Sequence, residues 1–385
     1  MIAAGKAAGA MARSAAALFG SRVLAGLTIG PSPADVPAPL ESCAGGHPLP
    51  TEASERAGRR ALALAGSIGA DDMLLVLLSG GASALMAVPA DGITLDDKRR
   101  TTETLLRSGA DIHALNTARK HLSAIKGGWL AARAPGLCRT LAVSDVVGDD
   151  LSAIASGPTV ADQTTCADAL DVLRRFGGVD AYPRAVVDRL ERGSRGEREV
   201  ETPKPHDARL SRATSTVIGS RRDAMQGAAL EATSRGYHVL RLDDAVVGEA
   251  RSAARSHLRA VVARAADLGR PACVVSSGET TVHVTGRGKG GRNQEFALAV
   301  LAEGAAPPPF AFASVGTDGI DGPTNAAGAI VDATTLARAQ AAGLAAPARY
   351  LDDNDAYTFF DALGDLIRTG PTDTNVGDLQ LFLLA

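Results

Sequence analysis

Long apolar runs are missing from this 385-residue chain. Its most apolar stretches, such as Met73–Leu78, fall far short of the ~20 residues that cross a bilayer, so no membrane span is expected. Cysteine is scarce. Cys43, Cys138, Cys166 and Cys273 are widely spaced with no CxxC pair, which disfavours a disulfide framework and structural zinc and fits a reducing, cytoplasmic setting. An excess of one charge is also lacking: the formal charge is −3, against a nucleic-acid partner. No GxxxxGK[ST] occurs, nor the HRD and DFG signatures, which excludes P-loop enzymes and protein kinases. What is present, 45% hydrophobic and 22% charged residues, suffices for a sizeable core. The length predicts two domains.

Short apolar runs end alike. Met73–Leu78 meets Ser79-Gly80-Gly81-Ala82-Ser83, residues 141–143 meet Ser144-Asp145, residues 216–218 meet Gly219-Ser220, residues 273–275 meet Ser276-Ser277-Gly278-Glu279, and residues 310–315 meet Gly316-Thr317-Asp318. Each reads as a buried strand with glycine and a small polar or acidic residue at its carboxyl end, where open α/β sheets bind ligands. Thr94 and Asp97 form a capping box before a helix over 95–108. Leu115, Ala118, Leu122, Ile125 and Trp129 are spaced as one apolar helix face. Beside it runs a polar stripe of Asn116, Arg119, Ser123 and Lys126, facing either a cleft or solvent. Residues 191–212, charged and with two prolines, read as an exposed linker and domain boundary. Residues 305–309 read as a shorter proline-rich loop. No acidic residue precedes Asp35, which is transit-peptide chemistry; the competing reading puts Ala3-Ala4-Gly5-Lys6-Ala7-Ala8-Gly9 in the folded protein.

Only six lysines stand against 34 arginines, and four of the six, Lys6, Lys120, Lys126 and Lys289, lie in glycine-rich or polar motifs. A compact ammonium beside glycines suits phosphate oxygens. The densest constellation is GETTVHVTGRGKGGRNQE over 278–295. There, glycines let the backbone fold Arg287, Lys289 and Arg292 around a polyphosphate, with Glu279 or Glu295 held near by charge pairing. Asp145, Asp149 and Asp150 after one strand, and Asp318 and Asp321 after another, suit Mg²⁺. Asp145 could act instead as a base, and Asp321 in IDGP reads as a turn residue. Gly5 and Gly9 weakly resemble a dinucleotide fingerprint. No strand precedes them in this reading, and the next strand, over 23–29, ends without the ribose-binding acid. His47 reads as loop-fixing.

Taken in order, GKAAGAMA, AGGHPLP, LLSGGASALM, NTARKHLSAIKGGWLA, LAVSDVVGDDLSAIASGPTVAD, GETTVHVTGRGKGGRNQEFALA, SVGTDGIDGPTNAAGAIVD and TGPTDTNVGDLQ resemble the class II glycerate kinase family, which carries a MOFRL domain. The similarity covers nearly the whole chain, weakest over 10–40 and 180–215. The resemblance implies an α/β protein of two domains. Residues 1–210 would form a Rossmann-like three-layer α/β/α domain with a mostly parallel sheet. Residues 211–385 would form a smaller MOFRL-type domain whose last ~15 residues return to an active-site cleft. It implies phosphorylation of D-glycerate to 2-phosphoglycerate by ATP with Mg²⁺. Lys6 and Arg292 match the family's essential lysine and arginine, and Asp145 is the candidate metal ligand or base, with Asp318 a second metal carboxylate. Substrate or phosphate contacts are assigned to Ser79, Gly80, Gly81, Ser83, Asn116, Arg119, Lys126, Ser156, Gly157, Thr159, Glu279, Lys289 and Asn293, with the division of labour left open. D-glycerate and ATP are the expected partners, and a homodimer is left open. The alternatives are an NAD(P)H-dependent hydroxypyruvate reductase and a weakly active ligand-binding relative.

The chain departs from the family pattern at Ala3, Ala82 and Asp373, each standing for glycine. Alanine is tolerable where φ is negative; Asp373 adds a charge near an anion site. Almost nothing precedes the lysine loop. The expectation is therefore an internal methionine start or a first domain without its ordering strand, with Met1 to Gly5 weakly anchored.

Overall fold

The apolar runs become strands where the alternation of sequence and turn signals puts them, and the helices fill in between. In the computed structural model, which describes residues 1–304 and 310–385, the chain divides into two units. One comprises residues 1–143 and 149–218, the other residues 144–148 and 219–385. The stretch read as a loop at 305–309 lies outside the described residues.

The first unit contains β1 (Ile2–Ala4), α1 (Ala8–Phe19), β2 (Gly26–Gly30), β3 (Leu40–Ala44), α2 (Glu52–Ser67), β4 (Met73–Leu78), α3 (Ala82–Leu85), α4 (Leu95–Arg107), α5 (Ile112–His121), α6 (Trp129–Ala132), β5 (Leu137–Val143), α7 (Cys166–Arg175), α8 (Arg184–Ser194) and β6 (Ala213–Gly219). Its sheet runs β3-β2-β1-β4-β5-β6, with the β3–β2, β2–β1, β1–β4 and β4–β5 pairings parallel. This is the doubly wound order in which ligands bind at the switch point, here between β1 and β4. Both phases of β4 are buried, which explains its continuous apolar run. On one face, Ala3, Leu75 and Leu77 pack against Ala8, Ala12 and Ala15 of the alanine-rich α1.

Three expectations need correction here. The unit boundary falls after Ile218 rather than at 210, because β6 joins the first sheet. The helix expected to run from 115 to 129 stops at His121. Ser123 Oγ donates to Val88 O at 3.0 Å, and Gly127 and Gly128 turn left-handed at φ 56° and 88°, which a helix cannot continue through. Finally, residues 191–212 are not a linker. Arg189 and Thr202 are buried, and Glu201 Oε1 lies 2.9 Å from His121 Nε2, so this segment satisfies polar groups inside the unit. The capping box forms as read, with Thr94 Oγ1 accepting Asp97 N at 3.0 Å.

The second unit contains α9 (Arg221–Ser234), β7 (His238–Glu249), α10 (Ala250–Arg264), β8 (Ala272–Thr281), α11 (Arg292–Glu303), β9 (Phe310–Gly316), β10 (Gly328–Asp332), α12 (Thr335–Ala341), α13 (Pro347–Asp352), α14 (Ala356–Leu363), β11 (Leu366–Ile367) and β12 (Asp378–Leu384). Its mixed sheet runs β11-β10-β9-β12-β8-β7. β12 pairs antiparallel with both β8 and β9, β10 antiparallel with β9 and β11, and β7 parallel with β8. Phe296, Phe312 and Phe382 build the core on the α11 side.

Above those rings sits a polar layer, in which Ser276 Oγ and His257 Nε2 are 3.0 Å apart. Burial pushes the His257 imidazole down to about 4. The unfolded chain, titrating near 6.5, therefore binds the extra proton first, and stability falls as pH drops from ~6.5 to ~4, by about 3 kcal/mol from this group. His257→Gln should flatten that part of the stability profile relative to wild type in chemical denaturation at stepped pH. Identical slopes would show that the imidazole does not carry it.

Candidate active site

The chain's second to fourth residues form a buried strand, against the expectation of a frayed start. β1 lies between β2 and β4, and its end is tied down on both sides. Gly5 N donates to Ile29 O at 3.1 Å, Lys6 N to Gly80 O at 2.9 Å and Ser79 N to Ala4 O at 3.0 Å. Ala7 N donates to the buried Ser79 Oγ at 3.0 Å. Gly5 holds φ at 127°, and a Cβ there would press inside 3.0 Å of the Ser79 carbonyl and hydroxyl. Glycine is thus required where the Lys6 turn crosses the end of β4. Ser79 has its amide, carbonyl and hydroxyl engaged around the turn, and the Gly80 carbonyl accepts the Lys6 amide. Ala3 and Ala82 lie in β1 and α3, outside the left-handed residues. Asp373 does hold φ 57°, a conformation aspartate tolerates better than most residues.

Beside this turn is a cavity of about 200 Å³. The Gly81 position places Lys6 Cγ and His47 Cδ2 at 3.6 and 3.1 Å from where a Cβ would stand. Gly81, Ser83, Arg119 and Lys126 line the cavity, together with His47, Lys98 and Arg99. Lys126 Nζ donates to Ser83 O and Oγ at 2.6 and 2.8 Å. Ser83 Oγ lies 2.9 Å from Ser156 Oγ, which donates to Asn116 Oδ1 at 3.2 Å. Ala155, Ser156 and Gly157 are left-handed in succession, at φ 54°, 60° and 62°, backbone strain of the kind that collects at functional sites. Burial, with Lys98 and Arg119 close by, lowers the Lys126 ammonium well below its usual range. Lys98 is pushed down to about 7 by burial and by Arg119. Thr159 does not join this group: its hydroxyl is buried against Thr140 and Ser215 at 2.8 and 3.1 Å.

In the second unit, Arg292 opens α11. Its Nη2 donates to Asp378 Oδ1 at 3.0 Å and its Nη1 to Glu279 Oε1 at 2.8 Å, while Nε lies 2.7 Å from Asp378 Oδ2. Burial disfavours the guanidinium, but the two carboxylates more than offset this and raise its pKa. Asn293 is buried: its Nδ2 donates to Asp378 at 2.9 Å and its Oδ1 accepts from Ser314 at 2.6 Å. It braces Arg292's partner rather than facing a ligand. Asp321 is more than a turn residue, since its carboxylate accepts the Asn293 and Gln294 amides at 3.1 and 2.9 Å and so caps α11. Burial raises it to about 6.

The glycine-rich loop does not offer its amides to a polyphosphate. Thr285 and Gly286 N donate to Asn354 Oδ1, Arg287 N to Asp353 Oδ1 and Lys289 N to Asp355 Oδ1, all at 2.8–2.9 Å. Gly286, Gly288 and Gly291 are needed for close approach to Asp353, Asp355 and Asp321. Lys289 Nζ stands 4.1 Å from the Tyr357 ring centroid. Glu295 pairs with Arg251 at 2.7 Å, leaving Glu279 as the Arg292 partner. Asp145 Oδ2 accepts from Asn375 Nδ2 at 2.7 Å, and Asp318 Oδ1 accepts from Ile320 N at 3.1 Å. Among the described residues, the metal-type side chains that converge are instead His121, Cys166 and Glu201. Glu201 is already engaged by His121, by Cys166 N at 2.9 Å and by Lys204 at 2.9 Å, and burial with Glu201 nearby pushes the Cys166 thiol up to about 12. This cluster is scaffold.

Comparison with known proteins adds the decisive observation. Residues 1–191 match the model described as "Domain of unknown function (DUF4147)", and residues 272–378 match the MOFRL family. The D-glycerate 2-kinase of Thermotoga maritima is 38% identical over 395 residues, covering 100% of this chain and 90% of that protein. The chain belongs to the MOFRL-bearing glycerate kinase family. A crystal structure of Thermotoga maritima glycerate kinase superposes with a TM-score of 0.87 at 38% identity, covering 100% of this chain and 91% of that one. An Agrobacterium vitis protein provisionally named a hydroxypyruvate reductase is 41% identical over 395 residues, 100% of this chain and 86% of that protein. No helix among the described residues is long and apolar enough to cross a membrane.

Within this glycerate kinase framework, sequence reasoning missed Lys98 and Asp378. Lys98 carried a legible signal: it shares the buried stripe of α4 with Leu95, Thr101 and Leu105, an odd place for a lysine in a chain that has six. Asp378 opens β12, with Gln380, Phe382 and Leu384 following on alternate, buried positions, so its inward orientation follows from period two.

Proposed function

We propose that this chain is a kinase that transfers the γ-phosphoryl of ATP to the 2-hydroxyl of D-glycerate, giving 2-phosphoglycerate, with Mg²⁺ as the metal. The observation that carries the reading is the Lys6 turn, an ammonium held by β1 and β4 at the switch point of a 3-2-1-4-5-6 sheet, in a chain similar along its whole length to a D-glycerate 2-kinase. Phosphoryl transfer asks for alignment and for positive charge around the transferred oxygens. Lys6 supplies one charge. Arg292 supplies a fork: one Nη1 proton goes to Glu279 and one Nη2 proton to Asp378, leaving one proton on each of these nitrogens for an anion. Asp145 and Asp318 are hard oxygen donors without thiol or imidazole, a set that suits Mg²⁺, which takes one or two carboxylates and completes its shell with phosphate and water. When bound, that ion would offset charge on the phosphate oxygens.

The reductase alternative is not favoured by the local geometry. A strand does precede Gly5, contrary to the sequence reading, but the Ala7 amide is taken by Ser79. β2 ends in Gly30-Pro31-Ser32 without a ribose-binding acid. Helix-terminal amides and that acid are what a dinucleotide uses.

The test is ADP release with D-glycerate and ATP, followed by identification of the phosphoglycerate isomer. Consumption of NADH or NADPH with hydroxypyruvate, and no ADP, would replace the proposal with the reductase. Asp145→Asn should raise the Mg²⁺ concentration needed for half-maximal rate or abolish turnover with the fold intact, because an amide oxygen is the poorer ligand. An unchanged Mg²⁺ titration and kcat would reduce Asp145 to a loop-fixing residue.

A further inference from the structure

We propose that the cavity beside the Lys6 turn seats the carboxylate of the acid substrate, and that Lys98, Arg119 and Lys126 are its cations. This rests on the kinase reading but assigns a binding role to Lys98 that neither the motifs nor the family resemblance gave it. The first support is charge. Lys98, Arg99, Arg119 and Lys126 all line the cavity, and among the described residues no carboxylate does. Lys98 and Lys126 are buried, and the nearest bond of Lys98 Nζ is a long one, 3.4 Å to Val88 O. No hydrogen bond or ion pair with a described residue engages the Arg119 guanidinium. Burying cations without counter-charges is unfavourable to folding, and a bound anion relieves it. The depressed ammonium of Lys98, with Glu55 as the acid that partly offsets it, is the signature of that uncompensated charge.

The second support is size. About 200 Å³ lies below the ~300 Å³ at which pockets for larger ligands begin, a size that matches a small hydroxy acid better than a whole nucleotide. Arg119 offers a planar fork that matches a carboxylate. Lys126, held by Ser83, and Lys98 flank it. One wall is His47-Pro48-Leu49-Pro50, tied down by Arg99 Nε donating to Pro50 O at 2.8 Å.

The experiment is steady-state kinetics of the full chain and of Lys98→Met and Arg119→Met, with D-glycerate and ATP varied separately. Each variant should raise KM for D-glycerate ~10–100-fold, the loss of one charged hydrogen bond, and leave KM for ATP within about twofold. Lys98→Met should also melt at a higher temperature, because it removes a repelled buried charge. With the uncharged methyl ester of D-glycerate, Lys98→Met should cause no further loss relative to wild type. An unchanged KM for D-glycerate, or a raised KM for ATP alone, overturns the seat and gives the anion to the nucleotide. If wild type releases no ADP at all, the kinase reading fails by itself. The seat is then decided by calorimetric titration of D-glycerate and hydroxypyruvate: binding to wild type that is lost in Lys98→Met upholds it, and equal or absent binding overturns it.

Discussion

Arg292→Lys should lose ~10²–10³ in kcat although the charge is kept, the loss seen when one well-placed transition-state donor is removed. The guanidinium does three things at once. Its Nη2 donates to Asp378 Oδ1 while Nε stands 2.7 Å from Oδ2, one Nη1 proton meets Glu279, and one proton remains on each Nη. An ammonium is a point charge with three donors and no fixed plane. Satisfying the fully buried Asp378 withdraws it from Glu279 and from any ligand. Leaving Asp378 half-paired adds about 1–3 kcal/mol of destabilisation, so kcat should be read at a temperature where circular dichroism shows the variant folded. A folded Arg292→Lys protein with near-native kcat would remove Arg292 from the catalytic role.

The second large effect is expected at Gly5. Alanine there meets a backbone at φ 127° and a Cβ position inside 3.0 Å of Ser79 carbonyl and hydroxyl atoms. Neither neighbour can retreat cheaply, since Ala4 is registered against Ile29 and Leu78 at once. Strained φ and overpacking together should cost about 3 kcal/mol or more, a fall in Tm of ~6–12 °C, and Lys6 should lose its placement. A ~1 Å misplacement suffices for a ~10²-fold loss in rate. Gly20→Ala is the control: φ is also positive, at 53°, but nothing stands within 4 Å, so only the ~1 kcal/mol conformational cost applies. Equal Tm and kcat for Gly5→Ala and wild type would show that the turn does not need glycine.

How far the site was legible depends on what each residue had to signal. Buried parallel strands announce themselves as unbroken apolar runs, and Met73–Leu78 matches β4 residue for residue. The three-residue β1 did not, because Ile2-Ala3-Ala4 is too short to show a period; its partners on both sides make it a strand. Glycines misled in 285–291. Their spacing reads equally as room for a phosphate or as room for another stretch of the same chain, and Asp353, Asn354 and Asp355 supply the oxygens. Nothing local distinguishes the two, because the acceptors lie more than sixty residues away in sequence. Lys98 lies within the charged run DDKRR, which hides it in the sequence; its phase on α4 turns it inward.

The place of β12 bears on how the second unit comes into being during synthesis. Its partners β8 and β9 are not paired to each other but meet only through it, and it is the last of the six strands to be made. Until residues 378–384 have left the ribosome, the nascent sheet is two pieces with open apolar edges, and Arg292 waits without Asp378. Such late, non-local closure slows folding and exposes strand edges to wrong partners. The arginine of the proposed site therefore becomes competent only in the final step of assembly, so no active partial product can accumulate on the way.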